Sequence, residues 1–247
     1  MSAQEAVRYY DWLGKSGMLK AAQEMGTHDD FETVRQLVRP GDRVLDLGCG
    51  YGRLTAYMAS IASEVCGLDI SPVLIAEARK EAEKAAQKAV QKEADKESGT
   101  EAQKESDHES PANLSYIVAD MRRLPYADEH FDKVLCFWNS FNHLLAEIDQ
   151  LACLHECYRV LKSGGLAFFV LPDIHTEPWL SIVDTAENGI VTWTLPPNET
   201  GESIIIRSFV HTEETIAKVV SQTDFELKVE TRSMNNGLRL VVHLLKR

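Results

Sequence analysis

Arg43-Val44-Leu45-Asp46-Leu47-Gly48-Cys49-Gly50-Tyr51-Gly52-Arg53 carries an apolar run into three alternating glycines, after which Leu54-Thr55-Ala56-Tyr57-Met58-Ala59 takes up a helical pattern. That order predicts a buried parallel strand turning sharply into a helix. Glycines open backbone conformations closed to other residues and let the chain approach whatever sits over the first strand. Asp46 stands inside the strand, two residues before Gly48, and Gly-x-Gly-x-Gly replaces the Gly-x-Gly-x-x-Gly spacing of dinucleotide turns. A carboxylate beneath the turn opposes a pyrophosphate at a helix N-terminus and suits a ligand with an ammonium or sulfonium group.

Outward from this turn, four more blocks follow in order: Gly67-Leu68-Asp69-Ile70-Ser71, Ala119-Asp120-Met121, Phe131-Asp132-Lys133-Val134 and Arg159-Val160-Leu161-Lys162-Ser163-Gly164-Gly165. Together with the turn they resemble the motifs of the class I, Rossmann-like, S-adenosylmethionine-dependent methyltransferases, over about half the chain. The resemblance implies an α/β, doubly wound, seven-stranded and mostly parallel sheet whose last strand is antiparallel, with S-adenosyl-L-methionine as cofactor.

The 247 residues suffice for one large α/β domain with modest inserts. A formal charge of −12 argues against a broad footprint for nucleic acid or an anionic membrane. The five cysteines form no Cys-x-x-Cys pair and fall mostly in apolar patterns, as buried thiols in a reducing compartment would. Cys153 and Cys157 lie one helical turn apart, but no second ligand pair accompanies them, so no metal is expected. With no signal sequence and no long apolar span, a soluble cytoplasmic protein is expected. The oligomeric state is not legible.

Along the chain, residues 1–40 read as helical, with Tyr9, Tyr10, Trp12 and Leu13 clustered early and a Phe31-Val34-Leu37-Val38 stripe later. The aromatic cluster either anchors a helix or forms a lid over cofactor and acceptor, as similar segments do in the family. Glu64 to Asp69 reads as a second strand, and Pro72 to about Lys96 as a helix capped by Ser71. The stretch from about 80 to 112 is poor in large apolar residues and rich in Ala, Glu, Lys and Gln, a solvated insertion. Strands follow at Asn113–Asp120, Phe131–Trp138 and Leu166–Leu171. Ile148, Leu151, Leu154, Tyr158 and Leu161 mark a helix closed by Ser163-Gly164-Gly165. Residues 176–210 read as a small β insert, and Asn235-Asn236-Gly237 as the turn of a terminal hairpin.

Asp69 lies nineteen positions past Gly50, near the spacing of an acid that binds ribose hydroxyls, with helix capping as its competing role. The resemblance places Gly48, Cys49, Gly50 and Gly52 against the methionine part of the cofactor and Asp46 near its ammonium. It sets Asp69 and Ile70 at the ribose, Asp120 and Met121 at the adenine, and Trp138 and Asn139 alongside the cofactor. Asp46 also reads as a structural acid under the turn. Tyr9, Tyr10, Trp12, Phe141 and Asn142 are candidates for the acceptor side. His143, leaving the fourth strand on the ligand side, is the candidate that orients the acceptor or takes its proton, with helix packing as the alternative. Asp173 and His175, after the fifth strand, are candidates for the same chemistry. Asn139-Ser140-Phe141-Asn142-His143-Leu144 is similar to a stretch of glycine and sugar N-methyltransferase-like enzymes, which implies a small-molecule nitrogen or oxygen acceptor. Methylation of RNA or protein, or cofactor binding without catalysis, are the alternatives.

Overall fold

The computed structural model describes residues 3–16, 28–97, 112–175, 185–195, 197, 201, 203–234 and 237–247. Val44, Leu45 and Leu47 put apolar side chains on both faces of a strand in the interior of the sheet, as a strand covered by helices on each side requires, with Asp46 the one buried acid among them. β1 (Arg43–Leu47) pairs in parallel with β2 (Glu64–Asp69) and with β4 (Phe131–Cys136). β3 (Leu114–Val118) lies outside β2, and β5 (Leu161–Pro172) outside β4, both parallel. β9 (Gly237–Leu245) inserts antiparallel between β5 and β8 (Glu226–Met234). The seven-stranded order is therefore β3-β2-β1-β4-β5-β9-β8. β8 and β9 close as a hairpin with Met234 paired to Gly237, as the asparagine-glycine signal predicts.

Alternation along the strands divides the core into two layers. Leu45, Leu47, Val134 and Phe169 face α5 (Glu147–Val160) and α6 (Glu213–Val220) through Cys153, Leu154, Cys157 and Ile216. Val44, Val65, Leu135 and Phe168 face the opposite way, toward Val34 of α2 (His28–Leu37), Met58 of α3 (Arg53–Ala59) and Ile75 of α4 (Pro72–Glu97). The result is helices on both faces of a mostly parallel sheet, the doubly wound arrangement.

Two expectations need correction. α5 ends at Val160 and the chain turns at once into β5, so Gly164, at φ +77°, is a kink within the strand and not a helix cap. Ile148 is 73% exposed; the covered stripe of α5 is Gln150, Cys153, Leu154, Cys157 and Val160. The charged stretch begins as the solvated extension of α4 that its composition predicts, with residues 83–88 exposed or half-buried; residues 98–111 lie outside the described residues. So do 176–184 at the start of the β insert and Asn235-Asn236 of the terminal turn.

α1 (Ala3–Ser16) runs across the ligand end of the sheet and rests on a separate two-stranded sheet, β6 (Ile190–Leu195) and β7 (Ile204–Phe209). Glu5 pairs with Arg207 of β7 at 2.8 Å, and Asp11 accepts a 2.5 Å hydrogen bond from Ser71. Among the described residues, no helix is long and apolar enough to cross a membrane, and no group of three or more His, Cys, Asp or Glu is placed to hold a metal ion.

Candidate active site

The turn after β1 is built from left-handed glycines. Gly48, Gly50 and Gly52 have φ of +78°, +58° and +82°, conformations that strain a residue with a Cβ. The amides of Gly48 and Cys49 donate to the Leu68 carbonyl at 2.7 and 2.9 Å, and Gly50 donates to Asp69 Oδ2 at 3.0 Å. A side chain on Gly48 would collide with Ser140 Oγ. Asp69 Oδ1 accepts from the Ser71 amide at 2.9 Å, while Ser71 itself caps α4 through the Leu74 amide at 3.1 Å. Asp69 thus sits buried at the end of β2 with both oxygens tied to backbone, and Ser71 performs the capping.

Two cavities open over the strand ends. One, with about 480 Å³ of open space, is lined by Leu68, Asp69, Ile70, Ala119, Asp120 and Met121. The other, of about 680 Å³, is lined by Asp46, Cys49, Gly50, Arg53, Trp138 and Asn139. Tyr10, Gly48, Asp69, Ser140 and His143 line both and form the wall between them. An elongated ligand with an apolar ring system at one end and a zwitterion at the other matches this division.

Burial sets the electrostatics. It pushes Asp46 up to about 7, against a 2.6 Å hydrogen bond from Thr55 and with the Asp69 charge adding to the rise. It pushes Asp69 up to about 6, with backbone bonds from Ser71 and Gly50 opposing. Burial also disfavours the Asp120 carboxylate, but hydrogen bonds from Arg122 outweigh it and hold the group below its ordinary range. Arg122 is shared with Asp149 at 2.8 Å, so Asp120 meets the first cavity already paired. His143, whose ring lies 5.3 and 5.4 Å from those of Tyr9 and Tyr10, is pushed down to about 4 by burial.

The family comparison accords with this geometry. A methyltransferase domain family matches residues 39–226, most of the sheet and both cavity floors. The chain belongs to that family. A demethylmenaquinone methyltransferase of Beutenbergia cavernae is 28% identical over 141 residues, 57% of this chain and 44% of that protein. A ubiquinone biosynthesis O-methyltransferase of Xanthomonas campestris pv. campestris is 28% identical over 165 residues, 66% of this chain and 55% of its own. The chain spans about half the length of the curated relatives it matches. Among solved structures, a Methanosarcina mazei SAM-dependent methyltransferase superposes with a TM-score of 0.62 at 19% identity, covering 87% of this chain and 96% of that one. A DhpI–SAM–HEP complex gives 0.64 at 17%, covering 97% and 96%. The domain is thus a class I S-adenosylmethionine-dependent methyltransferase domain. The cofactor fits the residues present: left-handed glycines bring the Gly48 backbone to both cavities and that of Gly50 to the second, and buried acids stand at each, Asp69 at both and Asp46 at the second.

In this methyltransferase domain, Asp46, Gly48, Cys49, Gly50, Asp69, Ile70, Asp120, Met121, Trp138 and Asn139 come together on the cavity walls, with Tyr9, Tyr10 and His143. Others do not. Gly52 lines neither cavity, and a Cβ there would meet the Tyr116 hydroxyl at 2.5 Å, so it is a packing glycine. Trp12 turns to Ile204 and Ile206, because it lies one helical turn from Tyr9 on the face that rests on β7. Phe141 is fully buried against Phe169 and His211, and Asn142 donates to the Phe209 carbonyl at 2.8 Å. Asp173 and His175 pair with each other at 2.7 Å beyond β5 and line neither cavity.

Residues that sequence reasoning leaves out include Ser140, which fills the space over Gly48, and Arg53, which lines the second cavity and pairs with Asp30 at 3.1 Å. The hydroxyl of Ser140 within the polar run, which donates to the Gly48 carbonyl at 3.4 Å, is the available signal. Trp138 takes up φ +64°, rare for a bulky residue, and its Nε1 donates to Asp30 at 3.1 Å. Such strain concentrates at functional sites, held by surrounding contacts.

Proposed function

We propose that this domain methylates a nitrogen or oxygen atom of a small molecule, with S-adenosyl-L-methionine as donor. The observation that carries the reading is His143, placed where the two cavities meet and flanked by Tyr9 and Tyr10. When bound, the cofactor supplies a methyl group activated on sulfur, so what the chain must supply is alignment of the acceptor and exclusion of water.

The His143 Nδ1 faces the Arg207 carbonyl at 3.1 Å, which leaves Nε2 as the acceptor of a hydrogen bond from an acceptor N–H or O–H. A ring that stays neutral down to about pH 4 is better at orienting such a group than at keeping its proton. Tyr9 and Tyr10 make α1 the lid, while α2, the later part of the expected 1–40 lid, packs on the sheet; residues 1–247 are read as one methyltransferase unit. Asp69 takes the ribose hydroxyls, Asp120 and Met121 the adenine edge, and Asp46 the methionine ammonium. The relatives described as a demethylmenaquinone methyltransferase, a ubiquinone biosynthesis O-methyltransferase and a malonyl-[acyl-carrier protein] O-methyltransferase favour small or carrier-borne acceptors.

Incubating the protein with S-adenosylmethionine bearing a deuterated methyl group, separately with metabolite, RNA and protein fractions, tests the acceptor class by mass spectrometry. Label in a metabolite is the expected result. Label confined to RNA or to protein overturns it, and no S-adenosylhomocysteine in any fraction overturns catalysis.

A further inference from the structure

Arg53 has more donors than the described protein uses. Its Nη2 donates to Asp30 Oδ2 at 3.1 Å and its guanidinium lies 5.0 Å from the centre of the Phe31 ring. Its Nε and Nη1 are buried and have no hydrogen-bond partner among the described residues. A guanidinium is always charged and cannot shed the proton to relieve this, so unmade bonds at buried donors are costly and need a physical reason. Here the reason is positional: Arg53 lines the second cavity together with Asp46.

A fixed cation and a buried acid on the wall of one cavity, near enough for the Arg53 charge to act on Asp46, are the complement of an α-amino acid zwitterion. We propose that Arg53 is the seat of the cofactor's methionine carboxylate, with Asp30 as the residue that positions it. Asp30 is 1% exposed and accepts from Arg53 and from Trp138 Nε1, each at 3.1 Å. It therefore joins α2, the start of α3 and the end of β4 across the methionine end of the site. The guanidinium is held in place by one of its five N–H groups, which leaves the remainder for ligand. The inference rests on the cofactor reading above and adds to it the anionic end of the ligand, which neither the glycine turn nor Asp46 accounts for.

The test is calorimetric titration of wild type, Arg53→Met and Asp30→Asn with S-adenosylmethionine and with its decarboxylated form, which keeps the ammonium and lacks the carboxylate. In Arg53→Met the affinity for S-adenosylmethionine should fall about 10- to 100-fold, the range of charge-assisted bonds, while that for the decarboxylated form stays within about 2-fold. Asp30→Asn should show a smaller loss with the same selectivity. An equal loss for both ligands makes Arg53 merely structural and overturns the proposal, as does no loss for either. If Arg53→Met does not fold, Arg53→Lys and wild type decide it: a wild type that binds both ligands equally overturns it. Wild type that binds neither ligand fails the cofactor reading itself, a distinct result.

Discussion

The Nδ1 of His143 and the carbonyl oxygen of Arg207 lie 3.1 Å apart, tying the turn after β4 to β7. A carbonyl only accepts, so this contact keeps the proton on Nδ1 and fixes the tautomer. His143→Ala should lower turnover by about 10², the cost of a misplaced acceptor, while changing cofactor affinity little, since the ring is assigned to the acceptor. Turnover within a few-fold of wild type, or affinity falling in step with turnover, removes His143 from acceptor chemistry.

The same ring makes stability depend on pH. The unfolded chain takes up this proton near pH 6.5, the folded chain only near 4, so the stability present above 6.5 is lost progressively as pH falls toward 4. His211, pushed down by burial to about 3, acts in the same direction. Compared at matched pH, wild type should lose more of its urea-unfolding free energy between about pH 7 and about pH 4.5 than His143→Ala does. Parallel losses would mean that the ring titrates normally.

Asp46 works in the opposite sense. Its folded pKa is pushed up to about 7, so in the ligand-free protein at about pH 6 it largely holds a proton. A ligand ammonium beside it favours the carboxylate and drives that proton off. S-adenosylhomocysteine binding should therefore release protons at about pH 6, and affinity should climb from about pH 5.5 to about pH 7.5. Calorimetry in two buffers of different ionisation enthalpy measures the release, which Asp46→Asn should greatly reduce. Wild-type heats independent of buffer would contradict it.

Two glycines separate strain from open space. Gly52→Ala places a Cβ 2.5 Å from the Tyr116 hydroxyl at φ +82° and should cost about 2–4 kcal/mol of folding free energy. A Cβ on Gly41 would meet nothing within 4 Å, so Gly41→Ala should be neutral or gain up to about 1 kcal/mol. Denaturant titration of the pair checks the contrast, and equal effects would refute it.

Removing Ala85 to Ser110 behind a short glycine-serine link should shift the melting temperature by no more than about 3 °C and leave cofactor affinity intact. In α4, residues 83–88, just after the buried Ala82, are exposed or half-buried. A large drop would show that the charged insertion packs on the domain.

Much of the fold is legible in sequence because it is local. The glycine turn, the Ser71 cap and the asparagine-glycine hairpin each rest on neighbouring residues, and the structure has all three. The Asn139–Leu144 run lies at the strand end where its position in the chain puts it, but its residues diverge. In the short 3-10 turn Phe141–His143, neighbours are about a third of a turn apart, and nothing local says that Phe141 and Asn142 point into packing. Sequence groups Trp12 with Tyr9 and Tyr10, and the structure keeps Trp12 beside Tyr9 against Ile204 and Ile206, but only the tyrosines reach the cavities. The Asp30–Arg53–Trp138 contacts join residues 23 and 108 positions apart, a distance at which pattern is silent. Asp173 and His175 stand at the ligand end of β5, but the cavities form farther along the sheet, over β1, β2 and β4.

β5 ends at Pro172, yet its outer neighbour β9 begins only at Gly237. On the ribosome, a nascent chain that has completed β1 to β5 therefore carries a bare strand edge bearing Phe168, Phe169, Val170 and Leu171, a surface that invites pairing with another chain. Only the late hairpin can cover it, and β9 must enter between two strands at once. The close Met234–Gly237 connection lets β8 and β9 meet before they dock, which shortens that exposure. Light scattering during refolding, followed against chain concentration, reads how long the edge stands uncovered.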